Sequence, residues 1–257
     1  MQVLTRPWGA MHYQVQGDGP AVVFANSLGT DLRLWEAVLP LLPGIRTIRF
    51  DKRGHGLSSC GPQEGIDGFA EDAAALIEAV AGGPVVFIGL SIGGMIGQAL
   101  ASRRPDLVRA LVLSNTAAKM GTPEAWRARI DAVRTGGIES IGDAVMERWF
   151  GPTFRATPAL ALWRSMLTRT DADGYTAACA AIAEADLTAA AARLTLPVLA
   201  IAGDQDGASP PDLVRGTPDL IPGAAFHIIP GAGHLPCVET PAAWAALVAP
   251  FLKDHAK

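Results

Sequence analysis

The chain has 257 residues with a formal net charge of −4 at pH 7; 49% are apolar and only 18% are charged, with 28 glycines and 19 prolines. That length can bury a sizeable core as one large domain or a domain with an insertion, and the composition excludes a largely disordered chain. An acidic balance without a basic run argues against nucleic-acid binding, and three cysteines without C-x-x-C spacing argue for free thiols in a reducing cytoplasm rather than a disulfide framework or a zinc site.

The N-terminal stretch MQVLTRPWGAMHYQVQG lacks the apolar core of a signal peptide and holds a first strand region around His12. Short runs rich in Val, Ile and Phe then recur, each ending in Gly, Asn, Asp or Ser: AVVFAN (21–26), RTIRFD (46–51), PVVFIGLS (84–91), ALVLSN (110–115), PVLAIAGD (197–204) and AAFHIIPG (224–231). Continuous apolar strands of this kind suit the interior of a parallel sheet covered on both faces. Helical periodicity occupies 69–81, 92–104 and 240–255. The stretch 79–102 carries no charge and on length alone could cross a membrane. Six glycines and Pro84 interrupt it, and its pattern changes from strand to helix midway, so a buried strand followed by a buried helix is expected and no membrane span. Alternation of strands and helices predicts the α/β class, with a mostly parallel, doubly wound sheet.

The alternation stops between 119 and 195. In EAWRARIDAVR, Trp126, Ile130 and Val133 share one helical face; in IESIGDAVMERWF, Ile138, Ile141, Val145 and Trp149 do the same. LWRSML and the Ala-rich AACAAIAEADLTAAAARL follow. The reading is a core over 1–118 and 196–257, with a helical lid over 119–195 inserted above the C-terminal ends of the strands, where such sheets bind ligands.

Gly89-Leu90-Ser91-Ile92-Gly93 matches G-x-S-x-G between a strand and a helix. At such an elbow a nucleophile takes strained dihedrals, and larger flanking side chains would collide with the neighbouring strand and helix. A serine hydroxyl needs a base, and the base needs an orienting carboxylate. Of the five histidines, His234 lies in PGAGHLPCVETP, after the last strand run and before the last helix. That placement brings an imidazole over the same edge of the sheet. For the carboxylate, AIAGDQDGASPP offers Asp204, nearer the strand and able to cap the turn, and Asp206, further out and favoured. The chain order Ser, Asp, His agrees with that of α/β-hydrolases. The amide of Ile92, after the serine, and that of Leu28, in NSLGTD after the 21–26 run, are the positional candidates for an oxyanion hole. No sequence signature of a metal site or an organic cofactor is present, so none is expected.

With these motifs in place the chain resembles the α/β-hydrolase family over nearly its full length, and within it the 3-oxoadipate enol-lactonases. FANSLGTDLRLW, DKRGHGLSS, GLSIGGMIGQAL, LVLSNTAAKMGTPEAW and ERWFGPTF carry the resemblance. NSLGTD and SNTAAKMGT are its more particular parts, since the elbow and RGHG occur in many α/β-hydrolases. The resemblance implies Ser91 as nucleophile, His234 as base, Asp206 as acid, Leu28 and Ile92 as oxyanion donors, and no cofactor. It implies hydrolysis of an enol-lactone with a carboxymethyl group to 3-oxoadipate, through an acyl-enzyme, in aromatic catabolism. A carboxylate-bearing small molecule calls for a cation in the pocket. Arg129, beside the Trp126 stripe, is the first candidate; Arg33, beyond the oxyanion loop, and Arg148, beside Trp149, follow. The same triad also serves carboxylesterases, C–C bond hydrolases and perhydrolases. A hydrolase-fold small-molecule receptor is the alternative of another class.

Overall fold

In the computed structural model, which describes residues 1–62 and 64–257, the chain opens with an antiparallel hairpin of β1 (Gln2–Arg6) and β2 (Gly9–Gln16). Six further strands follow: β3 (Ala21–Ala25), β4 (Arg46–Phe50), β5 (Val85–Leu90), β6 (Val108–Ser114), β7 (Val198–Gly203) and β8 (Ala225–Ile229). They form one eight-stranded sheet in the order β1-β2-β4-β3-β5-β6-β7-β8. β2 pairs antiparallel with β4, and every pairing from β4 to β8 is parallel. The α/β-hydrolase fold follows from this topology.

The run-by-run reading agrees with β3 to β7, whose side chains are buried on both faces, as the near-continuous apolar sequence requires. β8 is the exception. It pairs only with β7, and four of its five residues are partly or fully exposed, His227 and Ile228 among them. An apolar edge strand and an apolar interior strand read alike in sequence, because periodicity alone does not distinguish them.

The uncharged stretch 79–102 folds as expected: it closes α1 (Gly65–Val80), forms β5 and becomes α2 (Ile92–Arg103). α2 is buried from Ile92 through Ala101, between β5, its neighbouring strands and α1. It is apolar all round for that reason, and no helix among the described residues is long and apolar enough to cross a membrane.

Between β6 and β7 the chain is helical. α3 (Pro123–Gly136), α4 (Gly142–Trp149), α5 (Pro152–Arg155), α6 (Leu160–Thr168), α7 (Ala172–Glu184) and α8 (Thr188–Ala191) succeed one another. Thr122 caps α3 by accepting the Ala125 amide, and Pro123 opens the helix where its missing N–H costs nothing. Ile130 and Val133 are buried as the stripe predicts, and α3 packs on α7. The second stripe is not one helix: a 3₁₀ turn covers Ile138–Ile141 before α4 starts, leaving Ile141 only half-buried. α9 (Pro211–Arg215), α10 (Pro236–Glu239) and α11 (Pro241–His255) complete the chain.

From β3 the chain steps to β4 on one side, then crosses to β5 on the other side of β3. The C-terminal ends of β3 and β5 therefore flank the point where strand order reverses, which is where open α/β sheets bind ligands.

Candidate active site

Ser91 sits where β5 turns into α2, with φ 58° and ψ −122°. That conformation costs about 1–3 kcal/mol and persists only if the surroundings over-determine it. They do: the Ser91 amide donates to Ser114 O at 3.0 Å, and Ser91 O accepts from Thr116 Oγ1 at 2.7 Å and from Gly94 N at 2.9 Å. The flanking glycines are sterically required. A Cβ on Gly89 would lie on the backbone of Gly93, and one on Gly93 would lie on the carbonyl of Ala25.

Asp206, in the loop after β7, is buried and uses both carboxylate oxygens. Oδ1 accepts the backbone N–H groups of Ala208 and Ser209 at 2.7 and 2.8 Å. Oδ2 lies 2.9 Å from His234 Nδ1 and accepts Asn115 Nδ2 at 2.9 Å. With Nδ1 as the donor, the tautomer that this carboxylate favours, His234 keeps Nε2 as its basic nitrogen. Asn115, at the end of β6, has φ 50° and anchors a chain of contacts. Its Nδ2 also donates to Gly233 O at 3.2 Å, its Oδ1 accepts Ser114 Oγ at 2.9 Å, and that hydroxyl accepts Trp244 Nε1 at 3.2 Å. Asp204 is exposed and accepts the Gly231 amide at 2.7 Å, which makes it the turn cap of the pair.

The His234 loop is tied to the helical insertion. The His234 amide donates to Trp149 O at 2.7 Å. Glu239 accepts the Gly233 amide at 2.7 Å with one oxygen and the Gly151 amide at 2.8 Å with the other. Burial pushes the Glu239 carboxyl up to about 7, with Asp206 adding to the shift, while the two amides and His234 oppose it.

Ser91 and His234 border one cavity with Ser27 and Leu28 of the β3 loop. Its roof comes from the insertion: Met120, Trp126, Arg129, Arg148, Trp149 and Tyr175. Arg129 lies 5.2 Å over the Trp126 ring, and Trp126 Nε1 donates to Met120 O at 2.7 Å, fixing the ring beneath it. Arg148 Nε donates to Gly207 O at 3.2 Å; burial and the neighbouring Arg129 lower its pKa. Ile92, the first residue of α2, is fully buried and is not among the residues that border the cavity.

Arg33 is a correction. Its guanidinium is mostly exposed, closes on Asp31 at 2.6 Å and borders a different cavity. An arginine two residues after an aspartate that caps the same 3₁₀ turn is captured locally before it can reach the serine. Tyr175 was missed. It is fully buried, and its hydroxyl has no hydrogen-bond partner among the described residues. The signal for it was a single phenol in the otherwise small-residue run DADGYTAACAA. Of the other histidines, His55 is buried against Arg53 O and its pKa is held well below 6.5, chiefly by desolvation. His12 pairs with Asp51 at 2.8 Å in the cavity that Arg33 borders.

The sequence profile described as "Alpha/beta hydrolase family" matches residues 22–247. A 3-oxoadipate enol-lactonase of Acinetobacter baylyi is 39% identical over 196 residues, which are 74% of this chain and 73% of that protein. The crystal structure of the enol-lactonase from Burkholderia xenovorans LB400 superposes with a TM-score of 0.91 at 35% identity, over 95% of this chain and 96% of that one. A malate-bound thermophilic esterase from Thermogutta terrifontis superposes with a TM-score of 0.92 at 29% identity, over the full length of both chains.

Proposed function

Because this chain belongs to the alpha/beta hydrolase family, we propose that it is a serine hydrolase opening a carboxylate-bearing enol-lactone, with 3-oxoadipate enol-lactone as the substrate and aromatic catabolism as the setting. One observation carries the reading: a strained serine and an aspartate-held histidine share a cavity whose roof carries two guanidinium groups. The helical insertion over 119–195 acts as the lid.

Ser91 Oγ attacks the lactone carbonyl while His234 Nε2 takes its proton. Asp206 on Nδ1 holds the ring and stabilises the imidazolium. The oxyanion accepts the amides of Leu28 and Ile92, the second at the positive end of α2. The carbonyl-to-ring-oxygen bond then breaks, and the enol oxygen leaves with the proton from His234 and tautomerises to the ketone. Water, deprotonated by His234, attacks the acyl-enzyme; the serine regains its proton and the carboxylic acid leaves. The substrate's carboxylate pairs with Arg129 and Arg148, between the indoles of Trp126 and Trp149. An esterase for neutral substrates would leave both cations without a counter-charge.

Purified protein is assayed against the enol-lactone and against an aryl ester of similar size. The expectation is a kcat/KM for the lactone at least about tenfold above that for the ester, since a charge-assisted contact contributes about 1.5–3 kcal/mol. Ser91→Ala lowers kcat on both by about 10³-fold or more. Preference for the neutral ester overturns the substrate; undiminished turnover by a folded Ser91→Ala enzyme overturns the nucleophile. Saturable lactone binding without turnover by the wild type would make the protein a receptor.

A further inference from the structure

The carbonyl oxygen of Ser27 accepts three hydrogen bonds: from Lys52 Nζ at 2.6 Å, from Thr30 Oγ1 at 2.9 Å and from Thr30 N at 3.3 Å. Lys52 follows β4, is only 2% exposed, and also donates to Thr30 O at 3.3 Å. Asp51 and Asp31 lie close enough to act on its charge, but both carboxylates are engaged elsewhere. Asp51 accepts the amides of Leu32 and Leu57 and pairs with His12; Asp31 holds Arg33. Among the described residues Lys52 forms no salt bridge, so a buried ammonium is spent on carbonyl groups. Burial of that kind costs several kcal/mol before compensation, and a neutral side chain of the same length would fill the space without it.

Ser27 C=O and Leu28 N–H belong to one peptide unit. A trans peptide is planar and its C=O and N–H point in opposite directions, and none of the described peptide bonds is cis. Three donors on the carbonyl therefore also fix the direction of the amide, which has no protein acceptor among the described residues. Both residues border the cavity that contains Ser91. Turning that amide away from the cavity would break all three contacts at once, and a cation on the oxygen polarises the N–H into a stronger donor.

We propose that Lys52 is a positioning residue for catalysis, holding the Ser27–Leu28 peptide so that the Leu28 amide faces the oxyanion formed at Ser91. The inference rests on the reading of Ser91 as nucleophile. Burial lowers the Lys52 pKa to about 7 against the pull of Asp51 and Asp31, so the side chain carries its charge below about pH 7 and as a neutral amine above it still donates to the Ser27 carbonyl.

The test compares wild type, Lys52→Met and Lys52→Gln. Met keeps the stem and removes the donor; Gln keeps an N–H on a shorter stem and serves if the Met variant does not fold. An aryl boronate probes the oxyanion hole, because it adds to Ser91 and places one oxygen there, and 3-oxoadipate probes the ground-state pocket. Lys52→Met should lower kcat about 10- to 100-fold with KM within about threefold, as for loss of an oxyanion donor. It should weaken the boronate by a similar factor and leave the dicarboxylate affinity unchanged; Lys52→Gln should fall between Met and wild type. Unchanged boronate affinity in a folded variant overturns the proposal, and so does an equal loss for both ligands, which is pocket distortion. A Ser91→Ala control separates the two readings: if boronate binds the wild type no better than Ser91→Ala, the nucleophile assignment has failed, not the role of Lys52.

Discussion

Ser91 and Asn115 are the two non-glycine residues with positive φ among those described, and they end adjacent strands, β5 and β6. Strain concentrated on the serine and on the residue that steadies Asp206 is spent where geometry must be over-determined. Asp206 and Asp204 provide the contrast. Asp206→Asn exchanges one acceptor oxygen for an NH₂ group and loses the carboxylate that fixes the histidine tautomer, so kcat should fall by about 10⁴-fold. Asp204→Asn should keep kcat within about threefold, because only the Gly231 amide depends on it; the reverse order in the two rates would move the acid to Asp204. The placement of Ser91 and His234 beside one cavity was legible in sequence because glycine on both sides of a serine, and a histidine between the last strand and last helix, each have a steric or topological cause. The cations were not, since helical spacing places Arg129 beside the Trp126 stripe but says nothing of whether an aspartate two residues away captures Arg33. Arg129→Met and Arg148→Met should each cost about ten- to hundredfold in kcat/KM on the lactone and little on a neutral ester. Arg33→Met should treat both substrates as the wild type does.

At the level of elements, the His234 loop is held as much by the insertion as by the sheet. His234 N to Trp149 O, and Glu239 to the amides of Gly233 and Gly151, bind the His234 loop to the end of α4 and the start of α5. Two amides aimed at one carboxyl need two acceptor oxygens, so the clip is complete only when Glu239 is ionised. The charged groups facing it are Asp206, which raises its pKa, and His234, which lowers it. As pH falls through about 7 one oxygen gains a proton and one amide loses its acceptor, which loosens the loop that carries His234. The acid limb of kcat against pH should therefore include a step from Glu239 at about 7. In Glu239→Gln one amide always faces an NH₂ group: kcat should drop about tenfold at pH 8 with KM little changed, and the Glu239 step should vanish from the acid limb. Identical limbs in the two enzymes would show that the clip does not titrate. The existence of helices in this insertion was readable from their apolar stripes, but the clip was not. It is made by backbone amides, which leave no mark in the sequence, and the break at Ile138–Ile141 depends on packing against α3 and α6 that spacing cannot report.

Across the whole molecule, the order β4-β3-β5 brings the serine, the Leu28 loop and the Lys52 loop to one edge of the sheet, and the site charges kept there weigh on global stability. The mostly parallel α/β sheet was readable from the alternation of strand and helix runs, while the strand order and the edge position of β8 had no sequence signature. Glu239 has its folded pKa raised from 4.5 to about 7. Between those values the folded chain holds a proton the unfolded chain has released, so this group makes stability fall as pH rises from about 4.5 to 7. Lys52 has its folded pKa lowered from 10.5 to about 7. Between 7 and 10.5 the unfolded chain holds the extra proton, so stability from this group recovers as pH rises. His55 stays neutral in the fold to well below 6.5, and its contribution is lost as pH falls through 6.5, opposing Glu239 over part of its range. The wild-type profile blends the three, and differences between variants separate them. The Tm of Glu239→Gln minus that of wild type should rise from pH 4.5 to 7 and then level off. The corresponding difference for Lys52→Met should be flat below pH 7 and decline from 7 toward 10.5. Parallel melting profiles for wild type and Lys52→Met across the alkaline range would mean that the ammonium is not held at a cost, removing the energetic reason to regard it as more than a filler of the space behind the Ser27 carbonyl.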